Sequence, residues 1–371
     1  MLSSRHYDIV IIGGGLAGLT CALNLSKGGK RIALLEKYPY PRHKVCGEYV
    51  SNEILPYLRS LGTDPFAIGA VPIDQFRMTS PGSQAIQTRL PLGGFGISRF
   101  RLDNYLYELL QSRIDFFFGT INSIEKEDTR YLIRSSGGLI WETELLIGAY
   151  GKRSNLDKEL KRNFIGQHSP WLGVKGHYLF DHPSNRVDLH HFKGGYCGIS
   201  KVEEGIVNAC YLVNYSVFKA FGSTDHFQNE IMGQNEELKR FLDEAKPVFD
   251  KPMTIAQISF QAKEPVVKGI PMIGDSAGLI HPLCGNGMAM AIHSSKILAD
   301  LVHEGLAGTD LHRAYGVSWK RAFGNRLRAG RYLQRLLLNP QTNQLAIKLA
   351  RKIPGLVPAV VRKTHGEVIV A

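Results

Sequence analysis

The sequence predicts an α/β protein: a doubly wound domain interleaved with a β-sheet domain and followed by C-terminal helices. Three observations predict it. Residues 8–12, DIVII, form an apolar β-branched run that enters the glycine turn Gly13-Gly14-Gly15-Leu16-Ala17-Gly18. Far downstream, residues 269–301 repeat the order strand, glycine turn, helix. Between the two, residues 167–215 break into short runs rich in aromatic and β-branched residues, the pattern of consecutive strands.

Each element has a local reason. The run 8–12 reads as a buried parallel strand. LTCALNLSKGG then places apolar residues at helical spacing and stops on glycines. RIALLE is a second strand that ends on Glu36, 18 residues past Gly18. Strand, G-x-G-x-x-G, helix, strand and acid together make a dinucleotide site. Gly13 permits the tight turn, Gly15 admits a pyrophosphate, and Gly18 lets the helix pack on the strand. Ala17 lies on the first helical turn, whose N–H groups and dipole face the phosphates. Glu36, with Lys37 beside it, stands where ribose hydroxyls would be held, and an acid there disfavours a 2′-phosphate. To this point NAD and FAD fit equally.

At residues 269–301, GIPMIGDSAGLIHPLCGNGMAMAIHSSKILADLV, the chain resembles an FAD-dependent family. That family includes aromatic hydroxylases, flavin halogenases and geranylgeranyl reductases and has the para-hydroxybenzoate hydroxylase-like fold. The resemblance implies FAD. Gly274-Asp275 would hold the ribityl chain, and Gly285, Gly287 and Met288 would approach the isoalloxazine. A helix N-terminus there favours negative charge on the reduced ring. Residues 96–110, GISRFRLDNYLYELL, resemble the family's R-x-x-x-D-x-x-L segment, with Arg99 on FAD and Asp103 and Leu106 behind it. Backbone at Ile121 would lie by the adenine. The loop PRHKVCGEYV, residues 41–50, matches R-x-x-x-C-G. Arg42 would then lie close to the pyrophosphate, Gly47 would allow close backbone approach, and Cys46 would sit near the ring as a small packing group. The resemblance spans residues 5–300 in separate blocks. The FAD domain is therefore expected from residues 1–75, 96–165 and 263–310, the sheet domain from 76–95 and 166–262, and a helical region from 311–371.

The chain departs from the family at two places. The hydroxylases' Asp in a G-A-D-G segment is replaced by Tyr150 in Gly148-Ala149-Tyr150-Gly151. That bears on how the expected electron donor, NAD(P)H, would dock. At Gly194-Gly195-Tyr196-Cys197-Gly198-Ile199 the Trp and Pro of the halogenase and prenyl reductase motifs are missing, which counts against halogenation and weakens prenyl reduction. Tyr196 faces either the substrate or the core. His177, His190, His191 and His281 lack metal-ligand spacing, so no metal is expected, and His281 lies nearest the flavin-facing turn.

Net charge is +12, and residues 311–371 carry twelve Lys and Arg against the single acid Glu367. With apolar positions such as Trp319, Phe323, Leu327 and Leu336 at helical spacing, this region reads as a helical cap with a solvated basic face. Its sharper reading is docking on an anionic membrane surface. No apolar run is long enough to span a membrane, and the five cysteines are scattered without a CxxC pair. The expectation is a cytoplasmic protein, peripheral at most to the membrane's inner face. No nucleic-acid motif accompanies the basic tail.

The resemblance implies a flavin oxidoreductase, with monooxygenation of an aromatic, quinone-like or polyketide-like molecule foremost. The alternative is reduction of prenyl or other isoprenoid double bonds. A third reading is a flavin electron-transfer or accessory protein without a small substrate. No catalytic residue is assigned from sequence.

Overall fold

A computed structural model describes residues 4–370. Strands Leu145–Gly148, Ile9–Ile12, Ile32–Glu36 and Asp115–Phe118 form a parallel sheet in that order. Both faces are covered, so Ile9–Ile12 and Ile32–Glu36 are buried throughout. All ten residues of helix Leu16–Leu25 are buried as well, because helix Gly287–His303 lies against it. Thr20 Oγ1 and Ser295 Oγ join the two helices at 2.7 Å. A small meander, Ile121–Glu127, Arg130–Ser135 and Ile140–Thr143, flanks this layer.

The second layer is a nine-stranded sheet. Its centre is the run Trp171–Leu179, Val207–Asn214, Gly195–Lys201 and Arg186–Phe192, continued by the hairpin Val71–Thr79 and Ala85–Gly96. The stretch 186–201, continuous in sequence, folds as a hairpin about Lys193-Gly194, where Gly194 has φ +82°. The chain enters this sheet earlier than residue 76. Tyr49–Ser51 already pairs with Gly94–Gly96, and a side chain at Gly94 would collide with the Tyr49 ring.

Three helices close the structure: Gly308–Leu338, Pro340–Lys352 and Leu356–Thr364. In the last of them Pro358 sits in the first turn, where its missing N–H costs nothing. Tyr315, Trp319 and Phe323 are buried on the FAD-side core, and Leu337, Leu338, Ala350 and Val357 pack on a separate apolar cluster beneath the large sheet. No helix among the described residues is long and apolar enough to cross a membrane.

Candidate functional site

The glycine turn leaves an open cradle at one residue only. A Cβ on Gly13, which has φ +111°, would overlap the Ala149 carbonyl, and one on Gly18 would overlap the Gly13 carbonyl. At Gly15 the nearest atoms to a Cβ are Arg99 Nη2 at 3.7 Å and Lys44 Nζ at 4.0 Å. Gly15 caps helix Leu16–Leu25 without a side-chain hydrogen bond, so the first N–H groups point to this space with two cations opposite. Both cations are held by Asp103, through Arg99 Nε at 2.7 Å and Lys44 Nζ at 2.8 Å. Burial alone would raise the Asp103 carboxyl, but Arg99 and then Lys44 hold it below the usual carboxylate range.

Glu36 ends its strand beside this cradle. Its Oε2 accepts from Gly14 N at 2.8 Å, and its Oε1 accepts from Lys37 N and Arg42 Nη2, both at 2.7 Å. Arg42 thus pairs with Glu36, whereas the open space at Gly15 faces Lys44 and Arg99. Sequence reasoning singled out Arg42 and passed over Lys44, two residues along the same loop.

The loop 41–50 is fixed from beneath by a buried charge cluster. Glu48 is fully buried with φ +56°. Its Oε1 meets Lys175 Nζ at 2.5 Å and accepts from Arg99 N at 2.8 Å, while Oε2 meets His177 Nε2 at 2.8 Å. Burial would raise the Glu48 carboxyl, but the His177 hydrogen bond and the Lys175 charge hold it low. Asn208 Nδ2 donates to the Cys46 and Gly47 carbonyls at 3.3 and 2.9 Å. His177 and Lys175 therefore serve the loop. His190 sits between Thr79 and the buried Asp188.

On the opposite wall Gly274 has φ +61°, donates to Ser294 Oγ at 2.8 Å, and has its missing side chain's space taken by Ala17. Lys263 Nζ donates to the Asp275 and Lys152 carbonyls, both at 2.8 Å, and burial lowers it to about 8. Gly285, at φ +62°, ends the turn Pro282–Cys284, after which Gly287 and Met288 begin helix Gly287–His303. Tyr150 turns its hydroxyl toward Met272 Sδ at 3.5 Å.

These parts line one cavity of about 1450 Å³. Gly13, Gly15, Ala17, Glu36, Lys37, Arg42, Cys46, Gly47, Arg99, Ile121, Gly274, Asp275, Gly285, Gly287 and Met288 all border it. Gly18 does not, in keeping with a packing role. The residues fit FAD: an open glycine cradle, unpaired helix N–H groups and a cation pair at one end, a carboxylate at Asp275 midway, and a second helix N-terminus beyond. The cavity then runs on beneath the C-terminal helices, between Leu337, Ala346, Leu349, Val357 and Val360, with Tyr196 on the sheet side. Nothing in the sequence separated these chamber-lining leucines and valines from ordinary core. Among the described residues no group of three metal-type ligands is found.

Comparison with known proteins agrees with this geometry. An FAD binding domain model matches residues 8–44, and a squalene epoxidase model matches residues 226–321. The chain is 24% identical to the digeranylgeranylglycerophospholipid reductase of Thermoplasma volcanium, over 82% of this chain and 80% of that one. It is 21% identical to the menaquinone reductase of Mycolicibacterium smegmatis, over 96% of this chain and 90% of that one. Among solved structures, the flavin-dependent brominase Bmp2 superposes with a TM-score of 0.79 at 18% identity, covering 97% of this chain and 93% of that one. With the cradle and cavity in place, these likenesses settle the coarse assignment: the chain is an FAD-dependent oxidoreductase, built on the fold that flavin halogenases and geranylgeranyl reductase-like proteins share.

Proposed function

We propose that the protein is an FAD-dependent monooxygenase whose substrate carries a long apolar chain, isoprenoid or polyketide in character. The observation that carries this reading is the second half of the cavity. The three C-terminal helices contribute leucine, valine, alanine and threonine side chains and His365 to its lining, and no Lys, Arg, Asp or Glu. An apolar chain buried there gains about 25 cal/mol for each Å² removed from water. A compact polar aromatic would leave the chamber half filled. FAD, when bound, supplies electron transfer and oxygen activation. The protein's part is to hold it by the Gly15 cradle, Lys44, Arg99 and Asp275, to aim the chain, and to exclude water.

A nicotinamide dinucleotide is the proposed electron donor. Tyr150 offers it no carboxylate, so it docks through other groups. We further propose that the protein is cytoplasmic and collects its substrate at a membrane. Leu345, Leu349 and Ile353 are 58%, 44% and 51% exposed on or just after helix Pro340–Lys352, and Lys348, Arg351 and Lys352 share that segment. Apolar tips among basic residues suit an anionic bilayer surface.

The test is rapid mixing of reduced holoprotein with oxygenated buffer, with and without long-chain prenyl alcohols and quinones. A transient, blue-shifted absorbance before the oxidised spectrum returns supports oxygenation. Direct reoxidation in every mixture argues against it. A second reading, reduction of isoprenoid double bonds, is favoured by a specific observation: relatives aligned over at least 80% of both chains include two named reductases. Substrate-dependent oxidation of reduced flavin without oxygen would establish that one instead.

A further inference from the structure

Three polar side-chain atoms beside the apolar chamber are buried without a partner: Tyr196 Oη, His191 Nε2 and His281 Nε2. Their residues are 3%, 1% and 2% exposed. Tyr196 and His191 face each other across an antiparallel strand pair, with ring centroids 6.1 Å apart. The His281 ring lies 5.9 Å from Tyr196 and 4.4 Å from Phe260. Tyr196 lines the cavity, with His191 and His281 standing behind that lining, and Leu279, Ile280, Pro282 and Leu283 border it on either side of His281. Leaving three such atoms unsatisfied in an apolar setting is costly, so they point to a ligand.

The backbone fixes what each atom offers. Burial lowers His191 to about 4 and His281 to about 3, so both imidazoles are neutral at pH 7. His281 Nδ1 accepts from Leu283 N at 3.4 Å, which leaves the ring proton on Nε2. His191 Nδ1 lies 3.2 Å from the Thr79 carbonyl oxygen and must carry its proton, which leaves Nε2 a bare acceptor. The cluster therefore presents one donor, one acceptor, and a phenol able to do either. A carboxylate or phosphate would meet no cation here. A carbonyl would leave His191 Nε2 unpaired. A neutral hydroxyl satisfies all three kinds of atom.

The geometry points to a subsite, formed by Tyr196, His191 and His281, that anchors a neutral hydroxyl group of an otherwise apolar substrate. This rests on the proposed reading of the chamber as the substrate site, and it adds the polar group that fixes the substrate's register along it.

The test uses oxidised FAD holoprotein and two probes, geranylgeraniol and its methyl ether, with binding read from perturbation of the flavin spectrum. The ether keeps the chain and an acceptor oxygen but cannot donate. The expected result is that the alcohol binds roughly three- to tenfold more tightly, the range one neutral hydrogen bond supports. The alcohol's extra contact is its donation to His191 Nε2, so His191→Asn, which keeps a donor for the Thr79 carbonyl, should cut that preference with thermal stability near wild type. Tyr196→Phe, which removes a donor that both probes use, should instead weaken both alike. His281→Asn keeps an acceptor for Leu283 N and should likewise weaken both probes. Equal binding of both probes overturns the subsite and leaves the chamber reading standing. A preference that survives His191→Asn means that the three atoms hold an interior water only. Failure of both probes to bind overturns the chamber reading and the subsite with it.

Discussion

Replacing Lys175 with Met should destabilise the protein through a residue that touches no cofactor. Lys175 is fully buried, and its Nζ lies 2.5 Å from Glu48 Oε1. Methionine nearly matches the lysine stem in volume, so the change removes a charge and makes little cavity. The Glu48 carboxylate stays buried with the His177 ring and Arg99 N as its remaining partners. Stripping one partner from a buried pair costs about 3–5 kcal/mol, and the surviving contacts put this case near 3 kcal/mol. The pH dependence has a definite sign. In the wild type the Glu48 carboxyl is held low, so its contribution is present above the unfolded value, about 4.3, and is lost as pH falls through the lower folded value. In Lys175→Met the folded value rises, because burial is less opposed. The wild-type-minus-variant difference should therefore be near 3 kcal/mol at pH 7 and shrink as pH drops below about 4. Urea unfolding of both holoproteins across that range measures it. Glu48→Gln combined with Lys175→Met should recover part of the loss, since no charge is then stranded. A variant within about 0.5 kcal/mol of wild type at pH 7 would refute the argument, which makes this pair the anchor of loop 41–50.

Two glycine substitutions should separate packing from binding. Gly18→Ala drives a methyl into the Gly13 carbonyl and should cost roughly 3 kcal/mol in denaturant unfolding. Gly15→Ala, at φ −83° with open space around it, should change apoprotein stability by less than about 1 kcal/mol yet weaken FAD at least about tenfold by titration. Lys44→Met should weaken FAD by about tenfold and flatten its salt dependence, since Asp103 keeps Arg99 in place. Reversing Lys348, Arg351 and Lys352 to Glu should lower binding to phosphatidylserine vesicles at least about 100-fold in a flotation assay, at about 1 kcal/mol for each lost cation, without shifting the flavin spectrum.

What could be read from sequence follows from how local each cause is. The turn at Gly13–Gly18 was legible because its stereochemistry is settled within a few residues, and Glu36 because a strand's end fixes it. Glu48 stood inside a quoted motif but gave no sign of being a buried ion, since Lys175 and His177 arrive from a strand of the other domain. Lys44 and Arg42 were equivalent as letters, and only their distances to Asp103 and Glu36 separate them. The C-terminal helices pose the sharper case. Apolar residues at helical spacing are the same signal whether the stripe faces a core or a cavity, so the plainer reading of a cap was natural. Yet a cap need only bury its apolar stripe. Leu345 and Leu349 border the chamber and still stand 58% and 44% exposed, with Lys348 between them. Side chains that face an apolar cavity and solvent at once mark the rim of an opening. In the proposed reading, the basic charge gathered on the same helix gives that opening a direction, toward an anionic surface from which a long apolar chain would enter without crossing water.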